Sequence, residues 1–506
     1  MNILDEIVQQ RKKDIAERGM EMGFDIPAER TRPVVPFLPG KGVILEVKRA
    51  SPSKGDIAPS LDSAATGLAY VNAGAAAISV LTEEHWFKGT LEDLKKVTAA
   101  VGTKAAVLRK DFLIHEDEID IAYRCGADAV LLIARILDDE RIVAMAKRCQ
   151  DLGITALVEL KMEDDLRKLA LVAKAVKSDS VVCGVNCRDL KNFSIDLLGP
   201  SGVLEDIKAI MGPEVRVVFE SGIRTPEAAD FAGSLGFTGM LLGEAAARNP
   251  DEAKCLVESF VNAKETRHSR FYTELAVKIH KNRLESKSRP LVKICGITSI
   301  GDAKLAAETG ADYLGFIFCS KSPRNVSEKI HDFADRIPSL KKKHEVKTVC
   351  IITETDSPEA KTALELAEKG IFDAVQVHGY NTALAFLSQE KLRHMPHWCA
   401  VAVGTEDDLA KLEQLRKLGE PRILVDAKLE GFLGGTGTKV EESIAAKIAS
   451  KQKLWLAGGL NPDNIGSTIA TLNPELVDLS SGLEMEPGKK DPEKLKAFQK
   501  IMMEEK

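Results

Sequence analysis

The chain has 506 residues, of which 44% are hydrophobic and 29% charged, and its formal net charge is −6. A chain of this length exceeds one ordinary hydrophobic core, so the sequence predicts two globular domains of about 250 residues each. The acidic balance argues against a nucleic-acid-binding surface, and no apolar run is long enough to span a membrane. The nine cysteines show neither paired spacing nor a CxxC motif. We therefore expect reduced thiols, no structural metal and a cytoplasmic protein.

The first half of the chain alternates short apolar runs with longer amphipathic stretches. An amphipathic pattern predicts a first helix over Ile3–Arg18. Helical patterns at residues 61–73, 138–152 and 162–176 lie between apolar runs further along. Eight of these runs are predicted strands, at residues 42–48, 76–81, 105–110, 129–133, 155–159, 181–186, 216–221 and 239–243. Eight strand–helix units with nearly continuous apolar strands predict a closed parallel barrel.

A polar, helix-prone stretch over residues 251–290 interrupts this pattern, which then begins again. The second set of predicted strands covers residues 291–295, 313–318, 348–353, 374–378, 398–403, 423–426, 454–457 and 476–480. The sequence therefore predicts an α/β protein of two tandem (β/α)8 TIM barrels, the first with an extra N-terminal helix. We expect the first barrel over residues 1–263, a partly helical connector over 264–290 and the second barrel over 291–506.

The predicted strands of the first barrel end in polar residues, at the end of the fold that carries catalytic groups. Glu46 and Lys48 point to the same side of the first strand, because strand side chains alternate with period two. Lys110 and Glu159 interrupt apolar surroundings, where burial would shift their pKa values toward acid–base use. Each of these charges alone could equally belong to a structural ion pair, and a lone Phe112 is usually a core residue. Backbone N–H groups suited to a phosphate follow strands seven and eight, at Glu220-Ser221-Gly222 and Gly243-Glu244.

The second barrel combines a thiol, a carboxyl group and three glycine-rich turns at its predicted strand ends. Cys295 ends the first strand and Asp426 the sixth, so a base and an acid face one barrel mouth. A lone cysteine or His378 would ordinarily be a core residue. Arg324 has the fork geometry that binds a carboxylate. The turns are Gly434–Gly437, Gly458-Gly459 and Ser480-Ser481-Gly482.

Five motifs, in order along residues 1 to about 260, resemble indole-3-glycerol-phosphate synthase. They are Glu-Val-Lys-x-x-Ser-Pro-Ser-x-Gly, Leu-Arg-Lys-Asp-Phe, Leu-Val-Glu, Gly-Val-Asn-x-Arg-Asp-Leu and Glu-Ser-Gly-Ile. The resemblance implies ring closure of carboxyphenylamino-deoxyribulose phosphate with loss of carbon dioxide and water. It implies that Lys110 is the general acid, and it assigns further catalytic roles to Glu46, Lys48, Glu159, Asn186 and Ser221. Implied substrate-binding residues are Ser51, Lys54, Phe112, Arg188, Glu220, Gly222, Gly243 and Glu244.

Residues 290 to 506 resemble phosphoribosylanthranilate isomerase. The motifs are Lys-Ile-Cys-Gly-Ile-Thr, Lys-Ser-Pro-Arg, Val-Gln-Val-His-Gly, Gly-Gly-Thr-Gly, Ala-Gly-Gly-Leu-Asn-Pro and Val-Asp-Leu-Ser-Ser-Gly-Leu-Glu. The resemblance implies an Amadori rearrangement in which Asp426 protonates the ribose ring oxygen and Cys295 removes the C2 proton. The segment between Asp426 and the glycine-rich turn, residues 427–433, is longer and more charged than the corresponding segment expected for this family. Implied substrate-binding residues are Arg324, His378, Gly435, Gly437, Gly458, Gly459, Ser480, Ser481 and Gly482.

Together the two resemblances imply consecutive steps of tryptophan synthesis, because the isomerase product is the synthase substrate. Neither implied reaction needs a cofactor or a metal. We expect small phosphorylated sugar–anthranilate substrates, a product that passes to tryptophan synthase, a monomer, and no nucleic-acid or membrane partner. A Schiff-base aldolase is the rival enzyme class for the first barrel, and the agreement of five motifs decides for the synthase. Two other classes remain open: a protein with one catalytically silent barrel and a phosphosugar-binding protein without activity.

Overall fold

The computed structural model describes residues 3–161, 163–188, 194–248, 250–285, 289–427 and 440–504. The chain divides into two compact units, Met1–Glu265 and Thr266–Lys506. Each unit contains a closed barrel of eight parallel strands, as the alternating pattern predicts. None of the helices in these ranges has both the length and the apolar character needed to cross a membrane.

The first barrel closes where its first strand pairs with both the second and the eighth. Gly42 pairs with Gly239 on one side, and Ile44 pairs with Ala77 on the other. The strands are almost wholly buried, which explains their continuous apolar sequences. They are β1 (Gly42–Val47), β2 (Ala77–Leu81), β3 (Ala106–Lys110), β4 (Ala129–Ile133), β5 (Thr155–Leu160), β6 (Val181–Asn186), β7 (Arg216–Glu220) and β8 (Gly239–Leu242).

Helices surround this barrel, and polar side chains fix where several of them begin. Thr90 and Asp93 form a reciprocal capping box, and Asp138 and Thr225 cap later helices. A short antiparallel hairpin, Ala50–Ser51 with Gly55–Asp56, follows β1. The helices are α1 (Ile3–Arg18), α2 (Ser63–Asn72), α3 (Leu91–Val101), α4 (Asp117–Arg124), α5 (Asp139–Asp151), α6 (Glu163–Ala175), α7 (Gly199–Met211), α8 (Pro226–Ser234), α9 (Glu244–Arg248) and α10 (Pro250–Asn262), with a 3₁₀ turn at Ser178–Ser180.

The second barrel has the same strand order and closes between its first and last strands. Leu291 pairs with Leu476 at this closure. Its strands are β9 (Leu291–Cys295), β10 (Tyr313–Phe318), β11 (Lys347–Ile352), β12 (Ala374–His378), β13 (His397–Val403), β14 (Ile423–Ala427), β15 (Trp455–Leu456) and β16 (Leu476–Leu479).

The helices of the second unit include one that precedes its first strand. They are α11 (Arg267–Leu284), α12 (Ile300–Glu308), α13 (Ile337–His344), α14 (Pro358–Glu368), α15 (Tyr380–Leu387), α16 (Glu390–Arg393), α17 (Asp408–Lys417), α18 (Glu442–Ala449), α19 (Ile465–Leu472) and α20 (Pro492–Glu504). Single 3₁₀ turns lie at Ile330–Asp332, Ala334–Arg336 and Ser481–Leu483. A second antiparallel hairpin pairs Glu484–Glu486 with Lys489–Lys490.

The segment expected to be a partly helical connector, residues 264–290, contains α11. This helix packs closely on the second barrel: Phe271 stacks on Trp398 with ring centroids 6.1 Å apart. His268 stacks on His397 with ring centroids 4.1 Å apart. Because these contacts are buried, α11 contributes to the core of the second unit.

Candidate active sites

The first barrel has a pocket at the carboxyl ends of its strands. Its lining includes twelve residues expected from the sequence: Glu46, Lys48, Ser51, Lys110, Phe112, Glu159, Asn186, Arg188, Ser221, Gly222, Gly243 and Glu244. Two expected residues are not in this lining. Glu220 is buried at the end of β7, and Lys54 is exposed in the turn of the hairpin after β1.

A carboxylate bridges two ammonium groups at the base of this pocket. Glu46 is only 1% exposed. Its Oε1 lies 3.1 Å from Lys48 Nζ, and its Oε2 lies 3.5 Å from Lys110 Nζ. Burial alone would raise the pKa of Glu46, but the two neighbouring ammonium charges outweigh it and lower the pKa. Glu46 is therefore ionised at neutral pH.

The two lysines have different protonation tendencies because their surroundings differ. Burial lowers the pKa of Lys48, and the charge of Glu46 does not fully offset it. For Lys110, burial is outweighed by the carboxylates of Glu46, Glu220 and Glu159, so its pKa is raised. Lys110 thus carries a proton to donate. An imine-forming lysine needs the opposite, a lowered pKa.

Glu220 lies behind this charged cluster, in surroundings that disfavour its ionised form. Burial raises its pKa, and the charge of Glu159 raises it further. The adjacent strand carries Gly184, where a Cβ atom would overlap Glu220 Oε1. Only glycine leaves room for this carboxyl group.

The hairpin after β1 is tied to the end of β6. Arg188 Nη1 donates a hydrogen bond of 2.9 Å to Ser53 Oγ, and the Arg188 backbone N–H donates one of 3.0 Å to Asn186 Oδ1. Asn186 Nδ2 in turn lies 3.5 Å from Glu159 Oε1. These contacts link the covering hairpin to the polar side of the pocket.

One side of the pocket is apolar, and the sequence analysis identified only part of it. The Phe112 ring lies 5.9 Å from that of Phe87, and Lys48 Nζ lies 5.3 Å from the Phe87 centroid. The adjacent aromatic residues Trp86 and Phe87, which follow β2 in the sequence, could have predicted this part of the apolar wall. Other apolar lining residues are Ile3, Leu4, Ile7, Leu131 and Ile133. The first three belong to α1, which is anchored to this barrel by Arg11 Nε donating to Glu118 Oε1 at 2.9 Å.

The turn after β7 has an unusual backbone conformation. Ser221 and Gly222 both have positive φ, 75° and 82°. A non-glycine residue rarely takes this conformation, so the backbone at Ser221 is strained. A Cβ atom on Gly222 would lie 2.6 Å from Ile195 Cγ2. The turn therefore presents backbone N–H groups without a side chain at its second position.

The second barrel has a pocket at the corresponding end. Its lining includes eight expected residues: Cys295, Arg324, His378, Asp426, Gly458, Gly459, Ser480 and Ser481. Gly482 follows them, and a Cβ atom there would overlap the Leu460 carbonyl oxygen. Gly435 and Gly437 lie outside the described residues. Asp478 and Gln376 also line the pocket and were missed, although each is a polar residue in an otherwise apolar strand.

The Cys295 thiol is buried within this pocket, with the residue 6% exposed. Burial raises its pKa, and the ammonium of Lys293 partly opposes this shift. Lys293 lies on the same side of β9, and its Nζ is 2.5 Å from Asp478 Oδ2. Gly315 on β10 is the register partner of Cys295, and a Cβ atom on Gly315 would lie 2.7 Å from Cys295 Sγ. Gly315 therefore makes room for the thiol, and Lys293 favours its ionised form.

Asp426 and His378 shift each other's titration at the opposite side of the mouth. Burial raises the pKa of Asp426, and the nearby charge of His378 only partly opposes this rise. Burial lowers the pKa of His378, and the nearby charge of Asp426 only partly opposes this decrease. A carboxyl group with a raised pKa retains a proton more readily, which suits a general acid. Strands β15 and β16 separate this acid from Cys295 on β9.

Arg324 binds a carboxylate of its own chain. Its Nε lies 3.0 Å from both Glu484 oxygens, and its Nη2 lies 2.7 Å from Glu484 Oε2. The sequence predicts a carboxylate partner for Arg324, and the structure shows one within the chain itself. Among the described residues none accepts a hydrogen bond from Arg324 Nη1, and Arg324 also lines the pocket.

Comparisons with known proteins agree with this two-barrel arrangement. Residues 4–258 match the family model of indole-3-glycerol phosphate synthase, and residues 292–501 match that of N-(5'-phosphoribosyl)anthranilate isomerase. The multifunctional tryptophan biosynthesis protein of Schizosaccharomyces pombe is 31% identical over 98% of this chain and 66% of its own length. The chain thus spans just under two thirds of that relative.

Two further relatives are matched over more of their length. Tryptophan biosynthesis protein TRP1 of Phytophthora nicotianae is 31% identical over 99% of this chain and 96% of its own length. Tryptophan biosynthesis protein TrpCF of Yersinia pestis is 32% identical over 90% of this chain and 83% of its own length. The chain therefore belongs to the family of tryptophan biosynthesis proteins that join an N-terminal indole-3-glycerol phosphate synthase domain to a C-terminal phosphoribosylanthranilate isomerase domain.

Proposed function

We propose that this chain catalyses two consecutive steps of tryptophan biosynthesis. The C-terminal barrel isomerises N-(5-phosphoribosyl)anthranilate to 1-(2-carboxyphenylamino)-1-deoxyribulose 5-phosphate. The N-terminal barrel converts that product to indole-3-glycerol phosphate with loss of carbon dioxide and water. The main support is the geometry of the first pocket, where Lys110 Nζ lies 3.5 Å from Glu46 Oε2 and Glu159 also lines the space that a substrate carbonyl would enter.

In the synthase step, Lys110 donates its proton to the substrate carbonyl as the ring closes. Glu46 keeps Lys110 and Lys48 charged and oriented, and Glu159 takes up a proton during the later dehydration. Phe87 and Phe112 provide the apolar wall for the aromatic ring. The expected residues that line the pocket bind the sugar and phosphate: Ser51, Asn186, Arg188, Ser221, Gly222, Gly243 and Glu244. Lys54 reaches the substrate from the covering hairpin, and Glu220 supports the site from behind.

In the isomerase step, Asp426 protonates the ribose ring oxygen, and the C1–O bond breaks to give a protonated imine. The Cys295 thiolate then removes the C2 proton, and the resulting neutral enamine-enol tautomerises to the amino ketone. Arg324 binds the anthranilate carboxylate through its Nη1 edge. The phosphate and sugar are bound by His378, Gly435, Gly437, Gly458, Gly459, Ser480, Ser481 and Gly482.

We also propose that the chain acts as a monomer in the cytoplasm and that tryptophan synthase takes its final product. The boundary between the two functional domains falls within residues 264–290. Each site works without the other, because each has its own proton donor and acceptor.

The test is an assay of the purified chain with phosphoribosylanthranilate, in which loss of substrate fluorescence and formation of indole-3-glycerol phosphate are measured separately. Both signals are expected. Cys295→Ala and Asp426→Ala should abolish the first signal but leave conversion of supplied carboxyphenylamino-deoxyribulose phosphate intact. Fluorescence loss without indole product would show that the first barrel serves another reaction. Loss of both activities in one folded variant would contradict independent sites.

A further inference from the structure

A buried ion cluster lies behind the isomerase pocket, in the hairpin that follows β16. Lys490 is 2% exposed and Glu484 is 5% exposed. Lys490 Nζ donates to the carbonyl oxygens of Cys295 at 2.6 Å and Ser480 at 3.2 Å, and to Glu484 Oε1 at 3.0 Å. Its three protons are thus used within the fold, and two of them fix the backbone at the ends of β9 and β16.

Glu484 connects this ammonium group to the guanidinium group of Arg324. Both Glu484 oxygens accept from Arg324 Nε at 3.0 Å, while Oε1 also accepts from Lys490. The three side chains carry two positive charges and one negative charge. A buried cluster with a surplus positive charge favours binding of an anion, because an added negative charge balances it.

Close packing leaves this cluster little freedom. Gly296 has a φ of 78°, and a Cβ atom there would lie 2.6 Å from Arg324 Cδ and 2.9 Å from Ser480 Oγ. Thr298 Oγ1 donates to the Gly488 carbonyl oxygen at 2.5 Å, which attaches the hairpin turn to the loop after β9. The cluster is therefore closely packed, with the ends of two strands and Arg324 held by one hairpin.

We propose that Glu484 and Lys490 are positioning residues of the isomerase. Lys490 holds the backbone at Cys295 and Ser480, so that the thiol and the turn after β16 keep a fixed separation. Glu484 turns the Arg324 guanidinium so that its Nη1 edge meets the substrate carboxylate. This inference rests on the isomerase activity proposed above, and it assigns work to two residues that do not touch the reacting atoms.

The test uses the full chain with Glu484→Gln and Lys490→Met. Glu484→Gln should raise KM for phosphoribosylanthranilate about 10–100-fold, because Arg324 loses its orienting charge. Lys490→Met should lower kcat about 100-fold, as expected when a catalytic group moves by about 1 Å. Conversion of supplied carboxyphenylamino-deoxyribulose phosphate should remain at the wild-type rate in both variants.

The same hairpin offers matched controls. Glu486 and Lys489 form an ion pair of 3.5 Å in which both side chains are largely exposed. Glu486→Gln and Lys489→Met should therefore leave isomerase kcat and KM unchanged. If Lys490→Met does not fold, Lys490→Arg decides the question: its planar fork cannot reproduce the three bonds, so kcat should still fall.

Wild-type kcat and KM in the folded variants, with only a lower melting temperature, would overturn the proposal and leave a structural role. A wild-type chain that does not consume phosphoribosylanthranilate would instead refute the isomerase activity. The two failures are thus distinguishable in one set of measurements.

Discussion

Gly315→Ala should selectively disable the isomerase, because the new methyl group competes for the space of the Cys295 thiol. The added Cβ atom would lie 2.7 Å from Cys295 Sγ and 3.1 Å from Cys295 Cα. Ordinary nonbonded separations between heavy atoms are about 3.5–4.0 Å. The thiol must therefore move by about 1 Å, or the two strands must separate.

The expected cost is large for catalysis but modest for folding. Overpacking of a core typically costs about 1–3 kcal/mol, and a domain is stable by roughly 5–15 kcal/mol, so the variant should fold. A shift of about 1 Å in a catalytic group lowers the rate roughly 100-fold. That loss corresponds to about 2.7 kcal/mol of transition-state stabilisation.

The assay measures isomerase kcat from fluorescence loss and synthase kcat with supplied substrate. Gly301→Ala is the matched control, because its methyl group would meet only Ser299 Oγ at 3.7 Å. Gly184→Ala is the reciprocal variant: its methyl group would overlap Glu220 Oε1, so the synthase should fail while the isomerase persists. Wild-type isomerase kcat in folded Gly315→Ala would refute this reasoning.

Three other predictions follow from the charges. Lys110→Met should lower synthase kcat about 10²–10⁴-fold, the usual effect of a general acid, and leave isomerase kcat unchanged; equal losses in both assays would contradict it. Lys293→Met should raise the pKa of Cys295, because the opposing ammonium charge is gone, and so move the acidic limb of isomerase kcat/KM to higher pH; an unmoved limb would argue against this role. Burial and then the charge of His397 lower the pKa of His268. The contribution of the neutral His268 to the free energy of unfolding is therefore fully present above about pH 6.5, and it is lost as the pH falls toward the folded-state pKa. His268→Phe should weaken this pH dependence in denaturation curves, whereas the exposed His331→Phe should not.

Most of the barrel framework could be predicted from local sequence. The strands at 129–133 and 291–295 match the structure at both ends, because each is an apolar run bounded by polar or turn residues. The run at 454–457 was predicted too long: only Trp455–Leu456 pairs, and the chain turns soon afterwards at Gly458, whose φ is 93°. Such boundaries depend on backbone pairing, which an apolar pattern does not encode.

The predicted site residues converge because parallel strands bring their carboxyl ends to one mouth. Their partners could not be predicted in the same way. Arg324 is paired with Glu484, 160 positions away along the chain, so no local pattern connects them. The helix α1 was predicted with correct ends, but an amphipathic pattern does not say which surface the helix covers. Its contribution to the synthase pocket therefore became visible only in the structure.

The closure of both sheets bears on how two such domains coexist in one polypeptide. A folded open sheet exposes unpaired N–H and C=O groups along its edge strands, which can recruit a strand from a neighbour. Tethering raises the effective concentration of one domain near the other to the millimolar range. In each barrel here the first strand pairs with the last, so the main sheet has no such edge. Two barrels with apolar strands can thus remain tethered for the lifetime of the protein without exchanging strands.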